Sequence, residues 1–71
     1  MHDWQTVAGS TRIVAEAYDS EAQTIYVRFH DGVEWWYSDC PQSIWEEFTA
    51  VGQSRGQYIA SVLDGKPNGP C

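Results

Sequence analysis

The stretch from Thr24 to Ser38, TIYVRFHDGVEWWYS, constrains the fold more than any other part of the chain. Large β-favouring residues alternate on both sides of Asp31-Gly32, the pattern of a hairpin with one buried face. Ile25, Val27 and Phe29 share one side; Tyr26 and Arg28 share the other. Two turns fit. A two-residue Asp31-Gly32 turn pairs His30 with Val33 and sets Glu34, Trp36 and Ser38 beside Ile25, Val27 and Phe29. It buries a carboxylate and leaves Val33, Trp35 and Tyr37 in water. A three-residue loop, His30-Asp31-Gly32, with Gly32 left-handed in a G1 bulge, pairs Phe29 with Val33, Val27 with Trp35 and Ile25 with Tyr37. An unpaired buried carboxylate costs roughly several kcal/mol, more than a turn preference recovers. The three-residue loop is therefore expected. It places Arg28 opposite Glu34 and Tyr26 opposite Trp36, pairs that stabilise a sheet by about 0.2–1 kcal/mol each. Tyr26 and Trp36 then form an exposed aromatic patch unless a terminal segment covers them.

Around this hairpin the chain reads as a small α+β domain. STRIVAEAY, residues 10–18, is a first strand, in which Ile13, Ala15 and Ala17 share one face and Val14 and Tyr18 the other; a bulge would mend the imperfect alternation. Strands are expected at about 10–18, 24–29 and 33–38, as a three-stranded antiparallel meander. Pro41 opens a helix at about 41–50, with Ile44, Trp45, Phe48 and Val51 as its apolar stripe and Gly52 as its stop. A second helix follows at about 54–64, with Ser54 as N-cap, Gln57 completing a weak capping box, and Tyr58, Ile59, Val62 and Leu63 inward. Both helices should pack on one sheet face. The expected core is Ile13, Ile25, Val27, Phe29, Trp35, Tyr37, Ile44, Phe48, Ile59 and Val62. Residues 1–9 read as an N-terminal arm, 10–64 as the single domain and 65–71, DGKPNGPC without its first residue, as a flexible tail. Trp4 either folds over the sheet or belongs to a free arm; the sequence favours neither.

Length and charge narrow the functional classes. A chain of 71 residues holds one core and no second domain. Four basic residues against ten acidic ones give a net charge of −6, which favours a basic protein surface over phosphate backbones as a partner. The N-terminal MHDWQTVAGS lacks the basic start and apolar run of a signal peptide, and no segment approaches the ~20 apolar residues of a membrane span. A cytoplasmic protein with no membrane partner is expected. Cys40 and Cys71 are read as free thiols, Cys40 part-buried and Cys71 dangling.

The order of features resembles the KTSC domain, a family named for the C-terminal region of some lysyl-tRNA synthetases and also found as stand-alone proteins of about this size. The resemblance runs from Ser10 to about Leu63: STRI, Tyr18-Asp19, the alternating Ile25, Val27 and Phe29, then Gly32, Trp35-x-Tyr37, Pro41 and SRGQYI from Ser54. The family's Tyr-x-Tyr stands here as Trp35-x-Tyr37, and its Ser-Lys-Gly as Ser54-Arg55-Gly56. The resemblance implies a compact α+β fold with no established activity, and an RNA-binding role suggested by the synthetase association.

No catalytic constellation or cofactor motif emerges. His2 lies near an end and His30 in a turn beside Asp31; with Cys40 they make neither a metal set nor an oriented nucleophile pair. A non-catalytic, acidic protein-interaction module is the leading expectation, with Tyr26, Arg28, Glu34 and Trp36 as its partner-binding residues. It would modulate or inhibit a basic or nucleic-acid-binding protein by occupying that partner's groove, in the manner of phage-encoded inhibitors. The same outer face offers a surface for homo-oligomers. The alternative is an RNA-binding module: Tyr26 and Trp36 stack on bases, while Arg12, Arg28, Ser54, Arg55 and Gly56 meet phosphates.

Overall fold

The computed structural model describes residues 2–71. Its elements in chain order are β1 (Gln5–Thr6), β2 (Ile13–Asp19), β3 (Thr24–Phe29), β4 (Glu34–Tyr37), α1 (Gln42–Phe48), α2 (Arg55–Ser61), a 3₁₀ turn (Leu63–Gly65) and β5 (Asn68–Pro70). The strands form one antiparallel sheet in the order β1-β2-β3-β4-β5. The fold is α+β, as expected, with five strands rather than three.

The central hairpin closes through the three-residue loop. Phe29 N–H donates to Val33 O at 2.8 Å, Gly32 N–H donates to Phe29 O at 3.0 Å, and Gly32 sits at φ 90°. Ile25 pairs with Tyr37, Tyr26 with Trp36, Val27 with Trp35 and Arg28 with Glu34. The avoided carboxylate burial selects this register: Glu34 stays on the outer face, 2.8 Å from Arg28 Nε.

In β2 the register shifts between Ile13 and Ala15, so Val14 is the extra residue of a bulge. The bulge reverses the expected facing beyond it. Glu16 pairs with Val27 and Tyr18 with Ile25, which turns both toward the helices. Ala15 and Ala17 pair with Arg28 and Tyr26 on the outer side instead of joining Ile13. A carboxylate thus lies in the core layer after all, but a different one, and it is paired. Glu16 is 1% exposed; Arg55 donates to it through Nε (2.9 Å to Oε1) and Nη2 (2.9 Å to Oε2), and Gln5 Nε2 donates to Oε2 at 2.7 Å.

The two outer strands come from segments read as arm and tail. Gln5 and Thr6 pair with Glu16 and Ala15, and residues 68–70 pair with β4. The tail is held by groups on β4: Trp35 Nε1 donates to Asn68 Oδ1 at 3.0 Å, Ser38 N–H to Pro67 O at 2.9 Å, and Cys71 N–H to Glu34 O at 3.0 Å. Those backbone bonds fall on alternate residues, so Pro70, which lacks an N–H, occupies a position whose N–H would face away from β4. A proline there also blunts the sheet edge.

The helices follow their local signals. Ser54 Oγ accepts from Gln57 N–H, the expected cap. Helix α1 ends at Phe48 with Thr49 as C-cap, one turn earlier than its apolar spacing suggested. Val51 therefore lies beyond the helix and is fully exposed instead of extending its stripe. Ile13, Ile25, Val27, Tyr37, Phe48 and Ile59 are buried as expected, while Phe29, Trp35, Ile44 and Val62 pack only partly against them. Cys40, Tyr58 and Leu63 complete the buried cluster. Cys40 is wholly buried because its backbone is tied on both sides: its N–H donates to Gln23 O, and its carbonyl accepts from Tyr18 Oη at 2.7 Å. Both cysteines are free, and Cys71 is exposed.

This core sets an alkaline limit on stability. Burial pushes the Tyr37 phenol up to about 12 from its ordinary 10.0, Asp64 adding to the rise and Arg12 opposing it. Tyr58 moves the same way, through burial and then through its 2.7 Å hydrogen bond to Glu47. The unfolded chain ionises first, so this stability is complete below pH 10.0 and is lost as pH rises toward about 12. At ~1.36 kcal/mol per unit, Tyr37 alone removes about 2–3 kcal/mol across that window. The melting midpoint should fall steeply there, and Tyr37→Phe should flatten the fall.

Candidate interaction surface

The outer face of the sheet is organised by register. One row runs Ala17, Tyr26, Trp36, Gly69; the next runs Ala15, Arg28, Glu34. Small residues on β2 and β5 flank the large ones on β3 and β4. A Cβ at position 69 would come within 3.0 Å of Trp36 Cζ2, so only glycine lets the indole lie flat on β5. Tyr26, Arg28, Glu34 and Trp36 are therefore brought together as expected. All four are half-buried, so Tyr26 and Trp36 form a covered rather than an exposed pair.

The cover is the N-terminal arm. His2 stacks on Tyr26 with ring centroids 3.7 Å apart at 23°, and the Arg28 guanidinium carbon lies 4.4 Å from the Trp4 ring centroid. His2 and Trp4 also meet edge to face at 6.1 Å. Arg28 thus has two partners, the carboxylate of Glu34 and the face of Trp4. His2 and Gly69 belong to this surface although no local pattern singled them out, and of the two courses open to Trp4 it takes the one over the sheet. The aromatic content of the arm was the one available signal.

The residues named for phosphate contact do not converge. Arg28 is on the outer face, whereas Arg55 lies behind the sheet, bound to Glu16 in a bidentate pair that raises the Arg55 pKa. Ser54 Oγ is occupied by the Gln57 N–H. Gly56 lies against the Arg12 side chain, 3.5 Å from an added Cβ to Arg12 Cβ, and the Arg12 guanidinium sits 5.8 Å from the Phe29 ring. Ser54, Arg55 and Gly56 do line a polar groove of about 210 Å³ with residues 7–11 and Gln53, but Arg55 enters it already neutralised. Its role is structural pairing rather than free cationic contact.

Cys40 and His30 are also engaged. Burial pushes the Cys40 thiol up, and its Sγ donates to Ser38 O at 3.4 Å. His30 Nε2 lies 2.9 Å from Ser10 O. Among the described residues, no three His, Cys, Asp or Glu side chains are grouped to hold a metal, and no helix is long and apolar enough to cross a membrane.

Comparison with known proteins agrees with this architecture. The family model of the KTSC domain matches residues 9–66. The crystal structure of a KTSC domain protein from Yersinia pestis superposes with a TM-score of 0.88 at 21% identity, covering 100% of this chain and 99% of that one. No curated protein matches. The family match spans the STRI strand, the hairpin and both helices, so the chain belongs to the KTSC domain family.

Proposed function

We propose that this domain is a non-catalytic protein-interaction module of the cytoplasm. It engages a protein with a basic surface through Tyr26, Arg28, Glu34 and Trp36, and in doing so modulates or inhibits that partner. The observation that carries this reading is the use made of the cations. Among the described residues, Arg28 and Arg55 are in ion pairs with Glu34 and Glu16, and no ion pair engages Arg12 or Lys66, against the other eight acidic residues. Phosphate contacts depend on unpaired cations, whereas an acidic surface around half-buried aromatics suits lysine and arginine side chains. Aromatic anchors at the centre of such a patch carry most of the binding energy.

A pull-down from host lysate with and without nuclease tests the reading. Capture should survive nuclease, weaken with salt, and drop about tenfold or more in Trp36→Ala, the scale of a hot-spot residue. Trp36→Ala should keep the fold at a lowered melting midpoint, because the ring is half-buried. Capture abolished by nuclease, together with direct RNA binding, would replace this reading with the RNA-binding one. A folded Trp36→Ala domain with full capture would remove the outer face as the site.

A further inference from the structure

Strand β1 covers only part of the edge of β2. It pairs at Glu16 and Ala15, and Val7 N–H donates to Val14 O at 2.9 Å, while β2 continues to Asp19. In an antiparallel ladder every second residue exchanges hydrogen bonds with the same neighbour. The Val14 and Glu16 positions face β1, so the backbone N–H and C=O of Tyr18 face the same side. Residue 3 would oppose Tyr18 if the ladder went on. It does not: the arm swings over the outer face, where Trp4 meets Arg28 and His2 meets Tyr26. Among the described residues no backbone hydrogen bond joins Tyr18 to the arm.

The space so left is a notch of about 260 Å³, lined by His2, Asp3, Tyr18, Asp19, Ser20 and Glu21. Among the described residues, three of the six that line it are acidic, and no hydrogen bond engages the carboxylates of Asp3 and Glu21. Asp19, which also lines the notch, caps the turn by accepting from Glu21 and Ala22 N–H through Oδ1. On the helix side the notch meets Tyr18, which stacks on Trp45 at 5.3 Å and 8°.

We propose that this notch binds a short, extended, basic segment of a partner protein by strand addition. The segment pairs its backbone with Tyr18 in line with β1, as edge-binding peptides do. A lysine or arginine opposite Tyr18 lies beside the Tyr18–Trp45 stack, and its neighbours reach Asp3 and Glu21. The proposal rests on the basic-partner reading above and names the part of the partner that is held.

The test uses the whole chain and a capped octapeptide of alternating lysine and threonine as probe. Titration followed by amide NMR should shift the Tyr18 N–H and slow its hydrogen exchange about tenfold. The same peptide N-methylated at alternate backbone nitrogens, in both registers, should bind in at most one of them. Asp3→Asn combined with Glu21→Gln should weaken the probe about tenfold while leaving the melting midpoint in place. A probe that leaves Tyr18 unmoved at millimolar concentration overturns the proposal, as does equal binding of both N-methylated peptides. Lysate capture separates this result from the parent reading. Nuclease-resistant capture lost in Trp36→Ala, with Tyr18 unmoved by the peptide, keeps the interaction module and removes the strand addition. Peptide pairing at Tyr18 with nuclease-sensitive capture keeps the notch and removes the proposed function.

Discussion

Arg55→Ala should cost about 3–5 kcal/mol, the scale of breaking a buried ion pair from one side. The reason lies in the partner left behind. Glu16 is 1% exposed, and among the described residues its carboxylate keeps only the Gln5 amide once Arg55 is gone. A 71-residue domain commands little more stability than that in total, so the variant should be largely unfolded at room temperature. Arg55→Lys should rescue only in part, because an ammonium cannot reproduce the two-point contact to both carboxylate oxygens. Glu16→Met combined with Arg55→Met should recover most of the loss, since it removes both charges and leaves apolar volume. Urea unfolding of the four proteins decides the matter. A loss below about 1 kcal/mol in Arg55→Ala would mean that solvent reaches Glu16 and that the pair contributes as surface pairs do.

Phe48→Ala should be of similar size, about 3–5 kcal/mol, for a different reason. The ring is completely buried between Trp45 at 6.1 Å and Tyr58 at 5.8 Å, and it is the one buried side chain of α1. Truncation leaves a void between the helices and unseats α1 from the sheet. Phe48 also lies beneath the Arg55 guanidinium, 5.6 Å from ring centroid to Cζ. The two losses should therefore be coupled: Phe48→Ala and Arg55→Ala together should cost less or more than their sum by at least about 0.5 kcal/mol. Equilibrium unfolding of the single and double variants, run in a stabilising osmolyte that restores a folded baseline, measures the coupling. An unchanged midpoint for Phe48→Ala would show that α1 is not docked through this ring.

The hairpin was legible from the sequence because its determinants are local. Gly32 permits the left-handed loop residue, and Glu34 selects the register, since the other turn would sink its carboxylate into the core. The helix start at Ser54 was legible for the same reason, its cap lying three residues from Gln57. The candidate surface was half legible. Alternation placed Tyr26, Arg28, Glu34 and Trp36 on one face, but nothing near them in sequence announced that His2 and Trp4 would lie over them. The pairing of Arg55 with Glu16 was not legible, because the two lie 39 residues apart.

Pattern and turn chemistry thus determined the α+β class, the β3–β4 register, the helix order and most of the inward-facing apolar residues. The tertiary structure decided the rest. The bulge at Val14 turned Glu16 inward, and that facing is tolerable only because α2 brings Arg55 and β1 brings Gln5 to its oxygens. Similarly, Pro, Gly and Asn near the C-terminus carry no strand signal of their own. Residues 68–70 form a strand because the Trp35 indole, the Trp36 ring and the open backbone of β4 offer them partners. Short-range sterics and the cost of burying a lone charge can be read along a chain. The long-range partner that removes such a cost exists only once the chain has folded.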